Sequence, residues 1–90
     1  MKLSDELLTE ISYVKISTYR TRVMVSLEDE IKIPSKIAED ADIRQNHISK
    51  VLAELKAHTL VECINPEYRK GKLYRLTDKG DDVVKNIDFE

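Results

Sequence analysis

Arg44-Gln45-Asn46 sets a guanidinium and two carboxamides on consecutive residues, with Ser49 and Lys50 about one helical turn further on. Such side chains form paired hydrogen bonds to planar edges: arginine grips guanine at two points, and glutamine or asparagine does the same to adenine. A second constellation, Arg69, Lys70 and Lys72, lies in a loop punctuated by Pro66 and Gly71. Its charges suit phosphate oxygens, which supply affinity more than sequence information. Both groupings do the chemistry of recognition, not of bond making. The sequence has no glycine-rich phosphate loop and no nucleophile–base motif, and its many carboxylates fall in surface-like runs, so no enzyme is expected. His47 and His58 lack the spacing and the neighbouring cysteines of a metal site, so no metal or other cofactor is expected. Cys63, the single cysteine, excludes an internal disulfide and reads as a small hydrophobe in a β segment.

The elements that position these residues follow from capping and periodicity. Pro34 suits the first turn of a helix running to Ala41, with Ile37, Ala38 and Ala41 inward. Asp42-Ile43 is the turn, with Ile43 as a buried plug. From Arg44 to Ala57, Ile48, Val51, Leu52 and Leu55 form one apolar stripe, which leaves Arg44, Gln45, Asn46, Ser49, Lys50 and Ala53 on the other face. That helix is ~20 Å long at about 1.5 Å per residue, enough to lie in a major groove about 12 Å wide. Leu60 to Ile64 and Lys72 to Leu76 are the arms of a hairpin, and alternation does not decide which side it buries. Ile31-Lys32-Ile33 is a strand stub expected to pair with that hairpin.

Two further helices precede this unit and one follows it. Ser4 caps a helix carrying Leu7, Leu8, Ile11 and Val14, although the β-rich Tyr13-Val14-Lys15-Ile16 threatens its end. Ser17 or Thr18 starts another, reaching Glu28, with Tyr19, Val23, Met24 and Leu27 on one face and Arg20 and Arg22 as secondary candidates for backbone contact. Thr77 caps the last, where Gly80 permits close packing beside Val83, Val84 and Ile87.

Ninety residues make one domain, marginal on its own, and its leftover terminal helices have reason to pair with another copy. Leu7, Leu8, Ile11, Val84 and Ile87 are the candidate dimer interface, with Val83 and Phe89 beside them. Net charge is −2, from 15 Lys+Arg against 17 Asp+Glu, which argues against a uniformly basic binder. Charge is segregated instead, with cations in the Arg69–Arg75 loop and carboxylates at Glu28–Glu30, Glu39–Asp42 and the tail from Asp78. Hydrophobic residues are 41% and charged ones 36%, with no apolar run able to span a bilayer and no signal-peptide core. A cytoplasmic chain with no membrane partner is expected.

Ile33-Pro34-Ser35-Lys36-Ile37-Ala38, Ile43 to Leu55, Leu60-Val61 and Leu73-Tyr74-Arg75-Leu76-Thr77-Asp78-Lys79-Gly80 occur in the order found in one family. On these residues the chain resembles the winged helix-turn-helix transcription regulators, especially the MarR-like and ArsR-like groups of archaea and bacteria. The resemblance covers residues 17 to 87. It implies a mainly α fold with a small β-wing, organised as an N-terminal extension (1–16), a winged-helix core (17–76) and a C-terminal helix (77–90). It also implies a dimeric regulator of double-stranded DNA: Arg44, Gln45, Asn46 and Ser49 on base edges, and Lys50, Arg69, Lys70 and Lys72 on backbone phosphates. The alternative is a winged helix that binds proteins and not DNA. Two positions depart from the family pattern. Arg44 stands where Ser or Thr often opens the recognition helix, and His58-Thr59 stands where Gly usually closes it. Neither reading names an operator or a small-molecule effector.

Overall fold

The computed structural model describes residues 4–87. Phe89 and the rest of the tail after Ile87 therefore lie outside the described residues. Five helices and a small sheet follow in the order α1 (Asp5–Lys15), α2 (Thr18–Ser26), α3 (Pro34–Ala41), α4 (Gln45–Ala57), β1 (Val61–Cys63), β2 (Tyr74–Leu76) and α5 (Asp78–Ile87). This is a winged helix: α2, α3 and α4 enclose the core, and the β1–β2 hairpin is the wing.

Each boundary has a local cause. The Ser4 hydroxyl accepts the Leu7 amide at 3.1 Å and Ser17 accepts that of Arg20 at 3.2 Å, fixing the starts of α1 and α2. The β-rich stretch does not break α1, which runs to Lys15. α3 starts on Pro34 and ends where Asp42 turns left-handed (φ 58°, ψ 51°). The Ile43 amide then reaches the Ala38 carbonyl at 2.9 Å, a helix stop that drives Ile43 into the core. The same closure ends α4, with the amides of Thr59 and Leu60 on the carbonyls of Lys56 and Leu55, each at 2.9 Å. Thr59 takes the left-handed position there, at φ 60°, a conformation costly for a β-branched residue. The reshaped exit is thus a normal stop built from an unfavourable residue.

The wing resolves the side that alternation left open. Val61 pairs with Leu76, Glu62 with Arg75 and Cys63 with Tyr74. Tyr74 and Leu76 pack inward beside buried Leu60, while Arg75 is exposed and holds Glu62 at 2.7 Å. The stub joins this sheet through Lys32, whose amide and carbonyl both bond Tyr74. Lys32 points inward and is only 8% exposed, with Ile31 and Ile33 outside. Its ammonium meets Asp40 at 2.7 Å and the Ser26 carbonyl at 2.5 Å, so a charge ties the stub to α2 and α3. Lys32 first, and Lys36 second, hold the Asp40 carboxyl below the usual range.

α5 begins on the Thr77 hydroxyl, which accepts the Gly80 amide at 3.0 Å. A Cβ at Gly80 would collide with the Leu60 carbonyl oxygen, so only glycine lets α5 lie this close to the wing's base. α5 buries Val83, Val84 and Ile87 and packs along α1 of the same chain. A polar seam locks that docking. Glu10, buried on α1, lies 2.8 Å from His58 Nδ1 and 2.5 Å from Lys79 Nζ. The His58 ring stacks on Tyr13 at 3.6 Å, and Arg20 lies over the other ring face region at 3.9 Å from the Tyr13 centroid while pairing with Glu54 at 3.2 Å. Burial pushes the Glu10 carboxyl up, but hydrogen bonds from Lys79 and His58 outweigh it and hold the group below its ordinary value.

Candidate nucleic-acid interface

α4 presents its polar face to solvent because its apolar stripe is consumed by the core. Ile48, Val51, Leu52 and Leu55 are buried, while Gln45, Asn46, His47, Ser49, Lys50 and Ala53 are exposed. By 3.6-residue periodicity Asn46, Ser49, Lys50 and Ala53 share the outermost stripe. Ala53 keeps the C-terminal end of that stripe low, so a surface can approach the backbone closely there.

Arg44 stands one residue outside the expected helix. It is the N-cap, with extended backbone (φ −65°, ψ 145°) and no side-chain cap bond, because arginine has no acceptor to offer the free amides. Its exposed guanidinium is left at the helix's start. Gln45 flanks α3, where its Nε2 donates to the Ser35 carbonyl at 3.4 Å. His47 occupies the opposite flank, its ring 5.7 Å from that of Tyr19 on α2. Sequence reading left His47 and Tyr19 out of the polar surface; their positions on facing helices were the available signal.

In the wing, Arg69 and Lys70 are exposed and Lys72 is half-buried. Asn65 organises the loop that carries them, and it too went unnoticed in the sequence. Its Oδ1 accepts the Leu73 amide at 2.7 Å and its Nδ2 donates to the Gly71 carbonyl at 3.1 Å. Gly71 supplies the left-handed residue (φ 69°) of the return. An asparagine just before the Pro66 loop was the clue.

Ion pairing separates the two halves of the charge distribution. Among the described residues, Arg44, Lys50, Arg69, Lys70 and Lys72 have no carboxylate partner, nor have Arg22 on α2 and Lys56 in the last turn of α4. Arg20, Arg75 and Lys85 each have one, and Lys32, Lys36 and Lys79 each have two. Arg20 is therefore not a secondary backbone contact: Glu54, the Tyr13 carbonyl and the Tyr13 ring occupy it. Arg22 remains exposed.

The five residues expected at a subunit contact are divided by the fold. Val84 and Ile87 are 6% and 3% exposed, spent within the single chain where α1 covers α5. Leu7 and Ile11 are half-buried against the same core, and Leu8 is 47% exposed. Among the described residues no cluster of His, Cys, Asp or Glu could hold a metal ion, and no helix is long and apolar enough to cross a membrane.

The fold is shared with a structurally characterised protein, a MarR family transcriptional regulator from Silicibacter pomeroyi DSS-3. The match has a TM-score of 0.70 at 16% sequence identity and covers 92% of this chain. The chain spans 62% of the length of that regulator. No family model matches the sequence, and no curated protein matches it.

Proposed function

We propose that the protein is a sequence-specific regulator of transcription that binds double-stranded DNA, with α4 in the major groove and the wing on the adjacent backbone or minor groove. The observation that carries this reading is the set of unneutralised cations at the start and outer face of α4 and in the wing loop; among the other described cations only Arg22 and Lys56 lack a partner. Arg44, Gln45, Asn46 and Ser49 are assigned to base edges, and Lys50, Arg69, Lys70 and Lys72 to phosphates. Of the acidic runs, Glu39–Asp42 directly precedes Arg44, with Glu39 and Asp40 paired to Lys36 and Lys32, while Glu28–Glu30 and the run from Asp78 lie outside α4 and the wing loop. The winged-helix fold, shared with a regulator of the MarR family, supports the reading.

The working form is a homodimer in the cytoplasm, reading two half-sites about 34–36 Å apart, one DNA turn. Exposed Leu8 on α1 and Ile16 at its C-cap are apolar surface that a second copy would cover. Selection of bound sites from random duplexes, run beside a sizing measurement, tests both parts. The expected outcome is an enriched palindrome bound by two chains. No enrichment would return the function to a protein-interaction module without DNA binding.

A further inference from the structure

The stub at Ile31–Ile33 is a sheet edge without a neighbour. Lys32 turns its amide and carbonyl toward Tyr74, so the Ile31 amide and carbonyl and the Ile33 amide point away from the sheet. Among the described residues none of these three groups makes a hydrogen bond. Natural edges are blunted by an outward lysine or by proline; here the lysine of the stub is turned inward onto Asp40, and Pro34 comes only after the edge, as the first residue of α3. Ile31 and Ile33 are instead 50% and 38% exposed. Antiparallel pairing brings Ile33 opposite Leu73, and the Ile64 amide bonds the Leu73 carbonyl at 2.9 Å. An apolar row, Ile33–Leu73–Ile64, therefore crosses the outer face of the sheet and stops at the open edge.

Charge surrounds that edge asymmetrically. Glu28, Asp29 and Glu30 are exposed and immediately precede it, Glu30 also reaching the Lys32 ammonium at 3.7 Å. Asp29, Glu30, Asp78 and Asp81 line a cleft that also includes Ile31 and Arg75.

We propose that this edge is a docking site for an extended, basic segment of a partner protein, which joins the wing sheet as a further strand. The three free backbone groups have the i, i+2 spacing that a ladder needs. An aliphatic residue of the segment continues the Ile33–Leu73–Ile64 row, and its lysines or arginines meet Glu28, Asp29 and Glu30. The same carboxylates select a cationic segment over the acidic edge of a second copy. The site uses neither the outer face of α4 nor the wing tip, so it stands apart from the DNA reading and its test needs no DNA.

The test is a titration of the 15N-labelled full chain with an acetylated heptapeptide of alternating lysine and valine, against a glutamate–valine peptide as control. Amide shifts are expected at residues 28–33, with slowed hydrogen exchange at Ile31 and Ile33 and binding about tenfold or more weaker for the acidic peptide. Ile33→Pro is the decisive variant. Ile33 has φ −80°, which proline adopts, and its amide has no partner to lose. Its melting temperature should hold while affinity for the lysine–valine peptide falls about tenfold. Asp29→Asn, at a left-handed position that asparagine tolerates, should flatten the salt dependence of binding. Exchange readings on the unaltered chain decide the matter even if Ile33→Pro does not fold. Shifts confined to α4 or the wing tip, unslowed exchange at Ile31 and Ile33, or undiminished binding by a folded Ile33→Pro would overturn the proposal. Protection of the same amides by self-association, without peptide, would assign the edge to a second copy.

Discussion

Replacing Arg69, Lys70 and Lys72 together with alanine should flatten the salt dependence of DNA binding without changing which sequence is preferred. The magnitude follows from the unpaired cations. Lys50 and these three are the phosphate-directed set, so each protomer neutralises about four phosphates, giving a slope of log affinity against log salt of about −3.6. Two protomers double this to about −7, and between roughly 50 and 200 mM salt the affinity of the parent should fall about 2 × 10⁴-fold. The triple variant keeps Lys50, for a paired slope of about −1.8 and a loss of only about 12-fold over the same range. Asn46→Ala is the counterpart. It removes a two-point contact of about 1–3 kcal/mol, which lowers discrimination between the selected site and a scrambled duplex by about 5- to 150-fold and leaves the slope in place. Fluorescence anisotropy on both duplexes across a salt series measures all four quantities. A steep slope in the triple variant, or a slope that falls as much with Asn46→Ala, would refute the division between reading helix and wing.

Three further outcomes concern the scaffold. Asp40→Asn should lower the melting temperature more than Lys32→Met, because the first leaves a buried ammonium with only the Ser26 carbonyl and the more distant Glu30 at 3.7 Å, while the second leaves a carboxylate that Lys36 still holds at 3.2 Å; the reverse order in thermal melts would contradict the pairing described. Glu10→Gln should cost about 1–2 kcal/mol at pH 7, allowing for the partial exposure of Lys79 and His58. Because the Glu10 carboxyl is held below its ordinary value of 4.5, its contribution is complete above that pH and disappears as pH falls through the lower folded value. Urea titrations of the two proteins should therefore converge in acid, and a constant gap would show that the loss is one of packing. Thr59→Gly should raise stability by about 1 kcal/mol by relieving a left-handed β-branched residue, and an unchanged or lower melting temperature would mean that the side chain itself is needed.

The elements that sequence made legible are those set by local chemistry. Ser4, Ser17, Pro34 and Thr77 start their helices where capping rules put them, and Ile43 falls into the core because the closure of α3 aims it there. The pairing of the stub with the hairpin was legible too. What the sequence did not show depends on partners distant along the chain. Alternation by hydrophobicity would bury Ile31 and Ile33, yet Lys32 is inside because Asp40 and the Ser26 carbonyl wait there. Arg20 looked like a free cation until Glu54 and Tyr13, on two other helices, were seen around it. The polar face of α4 was legible from its periodicity, but not its division into an outward stripe at Asn46, Ser49 and Lys50 and two flanks tied to neighbours at Gln45 and His47.

The terminal helices show how such long-range choices bear on function. In the sequence their apolar residues looked surplus, and surplus surface calls for a partner. In the fold Val84 and Ile87 are buried within the single chain, α5 packs along α1, and Glu10 on α1 bridges Lys79 and His58. Leu8 on α1 and Ile16 at its C-cap keep apolar exposure, two side chains where a stable dimer buries about 1,200–2,000 Å² in total. Under the proposed function, copies paired through that surface alone are expected to associate weakly in free solution. Two half-sites one turn apart would then hold the chains together, the duplex supplying the effective concentration that the interface lacks. On that reading the spacing of the half-sites should matter as much as their sequence, and changing it by half a turn should weaken binding of the second chain.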